Sequence, residues 1–273
     1  MKDFSINFKL KNINDIQTCS KLNWYTLTDS TLYIQAGDHK IYEYSDSARD
    51  FFKCDKYNDY YLARFVTDFT EIFRFIREPI PEILYDNIDT FEDMADLWKN
   101  MYIDKPDDVF DEFYFGEYDT LTEWYCIRTL DSGHLTGGPD ISFFRYADKI
   151  KIMWKTDDYA VLENGQNIWT SPNGVYEMYW NDFIKEVEDF YWRFRQRMES
   201  RTAYIYKHGL NDVKIDKKLL VHSNSDNIIA FSQNIGLLIS DDYEKTDFKQ
   251  ILTIYDKMRG EINEQELQEI SGS

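Results

Sequence analysis

Phe183, Ile184, Val187, Phe190, Tyr191, Phe194 and Met198 recur at three- and four-residue spacing between Asn181 and about Lys207. That period draws one apolar stripe along a long α-helix, and such a helix needs a core along its whole side. Asn181 suits the N-cap. Asp182, Glu186, Glu188 and Asp189 come early and the arginines late, which matches the helix dipole.

Elsewhere the apolar period changes to two. Phe4, Ile6, Phe8 and Leu10 alternate with polar residues, and Leu22–Thr28, Thr31–Gln35 and Lys40–Tyr44 are short runs of β-formers. Asp29-Ser30 and Gly37-Asp38 separate them as turns, so the opening reads as a meander. From Asp59 to Arg77 a helical face returns, with Leu62, Phe65, Phe69, Ile72, Phe73 and Ile76 before the stop at Pro79. Short helices are expected at about 91–101 and 107–115. Strands are expected at about 124–130, 141–146, 149–155 and 175–179. A polar, hairpin-like region at 211–240 and a helix at about 246–259 would follow.

The fold class these segments predict is α+β. An antiparallel meander sheet packs against long amphipathic helices, in two β-meander-plus-helix halves that could share one sheet. With 273 residues and no linker rich in Pro, Gly or Ser, residues 1–259 are expected to be one domain. Residues 207–259 read as an extension and 260–273 as a polar, fraying tail. Cys19, Cys54 and Cys126 are odd in number and scattered, so reduced thiols in a cytoplasm are the simplest expectation. The N-terminus lacks a signal-peptide apolar core, and no apolar run is long enough for a membrane span.

The formal net charge is −19, and it is concentrated. Between Glu82 and Asp119, 13 acidic residues face only Lys99 and Lys105, so 38 residues carry −11. A field of that sign repels nucleic-acid backbones and steers basic proteins inward. The segment also holds aromatic residues, so it has the makings of an acidic rim around apolar anchors. Asp104, Asp107, Asp108, Asp111 and Glu112 are the expected partner-binding acids, and Trp98, Phe113 and Tyr114 the expected anchors. The competing reading is a solvated acidic helix pair with its rings turned into the core.

Chemical motifs are sparse. Arg128-Thr-Leu-Asp131-Ser132-Gly133-His134 leads to Gly137-Gly138-Pro139 and places a guanidinium, a carboxylate and an imidazole by a flexible turn. A ligand pocket there would use Arg128, Asp131 and His134, with Arg145 or Arg201 holding an anionic group. Chain neighbours seldom reach triad geometry, so no catalytic residue is assigned. Arg193, Arg197 and Arg201 line one helix face, for a phosphate, an acidic partner or the chain's own carboxylates. The four histidines lie apart, Asp107/Asp111 and Asp108/Glu112 lack an EF-hand pattern, and no phosphate-binding glycine motif occurs. No metal and no cofactor is expected.

One resemblance emerges from Leu22-Asn-Trp24-Tyr-Thr-Leu27-Thr28-Asp29, Tyr33–Gly37, Tyr61–Arg64, Glu78–Pro81, Arg128–Gly133 and Pro139–Arg145. With Trp154 and the helix bearing Phe190, Arg193, Met198 and Arg201, these resemble an uncharacterised bacterial family of domains of unknown function, over about residues 4–206. The chain departs from that pattern at Ser30 and His134, where the family more often has Gly and Tyr. The resemblance implies a bacterial cytosolic protein and supplies no activity. The expected function is a binding module that neutralises a basic, toxin-like partner, as an immunity protein does, without contacting nucleic acid or membrane. The alternatives are a small-ligand protein or enzyme at the 128–139 loop, or a subunit of a bacterial defence assembly.

Overall fold

A computed structural model of the chain describes residues 3–16, 22–132, 135, 137–156, 160–210, 213–242 and 245–271. The opening alternation forms β1 (Phe4–Leu10), which pairs antiparallel with β2 (Asp29–Ala36). Gly37, at φ +58°, turns the chain into β3 (His39–Ile41), and β4 (Asn58–Tyr61) pairs with the first half of β2. Ser45 caps α1 (Asp46–Phe52) between them by accepting from the Ala48 N–H.

The run Leu22–Thr28, expected as a strand, instead ends in a 3-10 turn at Thr26–Thr28. Asn23 Oδ1 accepts from the Thr26 N–H at 2.9 Å, and the Thr26 hydroxyl donates to the Asn23 carbonyl at 2.9 Å. Such local side-chain bonds compete with a ladder and win here.

The helical face after Asp59 begins later than expected, because β4 takes Asn58–Tyr61. It is split into α2 (Leu62–Glu71) and α3 (Phe73–Ile76). The long helix is α8 (Trp180–His208), starting one residue before Asn181. Its Glu186 Oε1 accepts from the Ile6 N–H at 2.9 Å, and Arg193 Nη2 donates to the Ile6 carbonyl at 2.9 Å. Helix side chains thus occupy the open edge of β1, where a further strand would otherwise pair.

The second sheet is separate from the first, so the two halves do not share one. It runs β5 (Thr129–Leu130), β6 (Asp140–Tyr146), β7 (Lys149–Lys155) and β8 (Gly174–Tyr179), all antiparallel. The expected strand at 124–130 is mostly α7 (Asp119–Cys126), which leaves only two residues for β5. Ile141, Phe143, Ile150, Ile152 and Trp154 face a core shared with the first sheet, α2, α8 and α9 (Lys217–Ile239). Phe144 and Met153 face a second core. A sheet buried on both sides explains the adjacent apolar residues Phe143-Phe144 in β6 and Ile152-Met153-Trp154 in β7.

The second core is enclosed by α4 (Glu82–Asn87), α5 (Phe91–Asn100), α6 (Asp107–Phe113), α7 and the last helix, α10 (Phe248–Ser271). A π-turn at Tyr114–Tyr118 joins α6 to α7. The hairpin-like region expected at 211–240 is the helix α9. Leu220, Asn224, Ile228, Phe231, Ile235 and Leu238 are buried at helical spacing, and Asp216 caps its start. Asn224 Oδ1 accepts from the Trp24 indole at 2.9 Å, binding α9 into the first core. Nor does the fold fray at Gly260, since α10 continues and buries Met258 and Ile262.

Candidate functional site

The acidic segment folds as α4 to α7, and its charges divide into two groups. Lys151 meets Asp89 at 3.5 Å, Lys155 meets Asp93 at 2.8 Å, and Lys257 pairs with Glu117. Asp104, Asp107, Asp108, Asp111 and Glu112 are all exposed, and none has an ion-pair partner among the described residues. Lys99, one of the two lysines in the segment, lies over the rings of Tyr114 and Tyr118. The α6 end therefore presents five unneutralised carboxylates to solvent. Asp107 and Asp108 also sit in the first turn of α6, where the helix dipole favours them.

The expected anchors need correction. Trp98 is 0% exposed and Phe113 4%, so neither reaches a partner from this fold. Phe113 stacks on Tyr102 at 3.8 Å and meets Trp98 edge-on at 4.7 Å. Across them lies α10, whose Glu261 Oε2 accepts from the Trp98 indole at 2.7 Å and the Tyr102 hydroxyl at 2.9 Å. Burial, then the Glu261 carboxylate, push the Tyr102 phenol up to about 12. Tyr114 is half-buried between Phe110 and Tyr118. The cover comes from about 160 residues away in the chain, which is why local composition hides it.

Other apolar side chains stand where the anchors were expected. Phe115 is 72% exposed on the π-turn, Ile103 56%, and Val109 41%. Asp108, Glu112 and Phe115 follow one another at four- and three-residue spacing, so they share a stripe. Beside that stripe runs a groove of about 890 Å³ between α6–α7 and α10. Tyr102, Phe113 and Ile254 contribute its apolar lining, Glu112 and Glu117 one charged wall, and Lys249 and Lys257 the other. Sequence reasoning did not single out Phe115. Phe115 closes the run Phe113-Tyr114-Phe115, so composition alone does not separate it from the buried Phe113.

The alternative site at 128–139 is not assembled as expected. Arg128 is 1% exposed; its guanidinium donates to Glu78 at 3.2 Å and to the Trp124 carbonyl at 2.6 Å. Burial pulls it down to about 10 while Glu78 pulls it back up. Arg145 donates to the Arg77 carbonyl at 2.6 Å and lies over Trp180. Arg201 donates to the carbonyls of Leu27, at 2.7 Å, and Lys11. Arg128 and Arg145 hold the neighbouring Glu78 and Arg77, whereas Arg201 holds the carbonyls of Leu27 and Lys11 elsewhere, so the three do not converge on one pocket. Asp131 is exposed, whereas Ser132 is buried with its hydroxyl 2.5 Å from that of Tyr42. His134 and Cys19 lie outside the described residues. A second groove, of about 650 Å³, lies between β8 and the start of α8, and neither groove is lined by Arg128, Asp131, Arg145 or Arg201.

No helix among the described residues is long and apolar enough to cross a membrane. Among the described residues, no group of three or more His, Cys, Asp or Glu side chains is placed to hold a metal ion. The chain belongs to a family of unknown function, DUF5984, whose model matches residues 5–253. The match passes beyond residue 206, so α9 and the first turn of α10 belong to the matched region. No curated protein and no solved structure matches the chain.

Proposed function

We propose that this member of the family is a binding protein that neutralises a basic protein partner, immunity-protein-like, by holding it on α6 and the π-turn. The supporting observation is the set of five exposed carboxylates from Asp104 to Glu112 without an ion-pair partner among the described residues, in the segment that also exposes Phe115. Acids without an ion-pair partner break no existing pair when a protein docks and are free to steer and then pair with lysines or arginines. Phe115, with Val109 and Ile103 also exposed in the same segment, supplies the apolar contact such a surface needs. Trp98, Phe113 and Tyr114 act from behind, by holding the lobe rigid. A partner segment can lie along the groove, with its apolar side toward Tyr102 and Ile254.

The reading extends to a bacterial cytoplasmic setting, for which the free Cys54 and Cys126 are the support. Nucleic acid is disfavoured as a partner by the same field that favours a basic protein. Reversal of the five acids to lysine tests it. Capture from the native host should retain a basic protein on the wild-type chain, released by salt and absent from the reversed chain. Identical capture by both chains would remove the mechanism.

A further inference from the structure

We infer that the free edge of β8 is a second docking site, which takes an extended, basic segment of a protein partner as an added strand. In an antiparallel ladder, hydrogen-bonded and open positions alternate. The Trp180 N–H donates to the Asp148 carbonyl at 2.7 Å, one step past the pair of Tyr179 with Lys149, and this fixes the phase. Tyr176 and Met178 therefore bond to β7. Val175 and Glu177 turn both N–H and C=O outward, and Tyr179 turns its N–H outward. None of these outward groups has a hydrogen-bond partner among the described residues. Val175 is 49% exposed and Tyr179 60%. The edge of β1 is the contrast, because side chains of Glu186 and Arg193 take up the Ile6 N–H and C=O there. An open edge is a template for a further strand.

Space and charge identify the occupant. The groove of about 650 Å³ between β8 and the start of α8 is lined by this strand from Tyr176 to Tyr179, so it runs beside the edge. It shares no lining residue with the groove beside α6. Phe4, Tyr176 and Met178 supply its apolar side, with the rings of Phe4 and Tyr176 stacked at 6.2 Å. Asp3, Glu177, Asp182, Glu186 and Asp189 line it against only Lys149 and Lys185. Both lysines are already held, by Glu177 at 2.6 Å and by Asp182 at 2.8 Å. The groove is therefore net negative. A second copy's β8 would bring the same carboxylates against it, and a nucleic acid would bring phosphates. A segment that alternates apolar residues with lysine or arginine fits both features. Its backbone pairs with Val175 and Glu177, its apolar side chains meet the rings, and its cations reach the carboxylates.

Amide exchange of the full chain, followed residue by residue by NMR, tests this with a capped peptide of alternating valine and lysine as the probe. In the free chain the Val175, Glu177 and Tyr179 amides should exchange fast, and those of Tyr176 and Met178 slowly. Saturating peptide should slow the first three by about tenfold or more, and salt should weaken the binding. The same peptide with glutamate in place of lysine should change nothing. Val175→Pro removes an outward N–H and no bond to β7, and should abolish the protection at Glu177 and Tyr179. The wild-type exchange pattern decides the matter should that variant fold poorly. Lysines in place of the five acids from Asp104 to Glu112 should leave the protection at β8, which separates this site from the α6 surface. Exchange at β8 that the peptide does not alter, protection confined to the α6 lobe, or protection that survives Val175→Pro overturns the proposal.

Discussion

Glu78 joins three parts of the chain that sequence separates widely. It accepts from the Arg128 guanidinium at 3.2 Å, from the Thr246 N–H at 2.9 Å and from the Thr246 hydroxyl at 2.5 Å. Residues 78 and 128 are 6% and 1% exposed, so a guanidinium left alone there would have lost both water and its counter-charge. Glu78→Gln should therefore cost about 3 kcal/mol or more, read as a lower urea midpoint. Lys149→Met, which removes the exposed pair of Lys149 with Glu177, should leave that midpoint nearly unchanged. Both Glu78 and Arg128 stand in the residue pattern that resembled a family. Their pairing was not legible, because nothing local records a contact across 50 residues. The same holds for Glu261, whose bond to the Trp98 indole helps keep that expected anchor in the core.

At the scale of elements, strong periods were readable and weak ones were not. β1, β6, β7 and α8 stand within a few residues of their expected places: β1, β7 and α8 repeat their apolar residues over at least three cycles, and β6 is marked by its β-forming Ile141, Phe143, Phe144 and Tyr146. The helix α9 was read as a polar, hairpin-like stretch because His222-Ser-Asn-Ser-Asp-Asn227 interrupts its apolar residues, and the buried Asn224 hides the period that the other buried residues follow. Glycines separate the two kinds of site. At Gly174 in β8, a Cβ would stand 2.1 Å from the ring of Trp154, itself 2% exposed and unable to move aside. At Gly260 in α10, nothing lies within 4 Å. Gly174→Ala should lower the thermal midpoint, at a cost of about 1–3 kcal/mol. Gly260→Ala should raise it, by about 0.5–1 kcal/mol, as helix propensity alone dictates.

For the molecule as a whole, the second sheet is the divider: one core lies on each of its faces, and the acidic lobe is the outer shell of the second. Much of the aromatic content is therefore structural, and this has a consequence at alkaline pH. Burial raises Tyr44 to about 12 and raises Tyr42, Tyr60 and Tyr125 further. Each keeps its proton when folded and would lose it near pH 10 when unfolded, so their contribution is whole below pH 10 and fades as pH rises above it. Stability measured by denaturant should fall from about pH 10 upward, and absorbance at high pH should show these phenols ionising only with unfolding. The sequence made the location of charge legible, since −11 of −19 lies in 38 residues. It left unreadable which of those acids are neutralised, since the lysines that do so, Lys151, Lys155 and Lys257, come from β7 and α10. The claim on which the functional account turns is that α6 and the π-turn are the face a basic protein meets. A photo-crosslinking residue placed at Phe115, with one at the exposed Glu163 as control, tests it inside the native host. The account predicts a covalent adduct with a basic protein at position 115 and none at 163; no adduct at 115, or the same adducts at both, would contradict it.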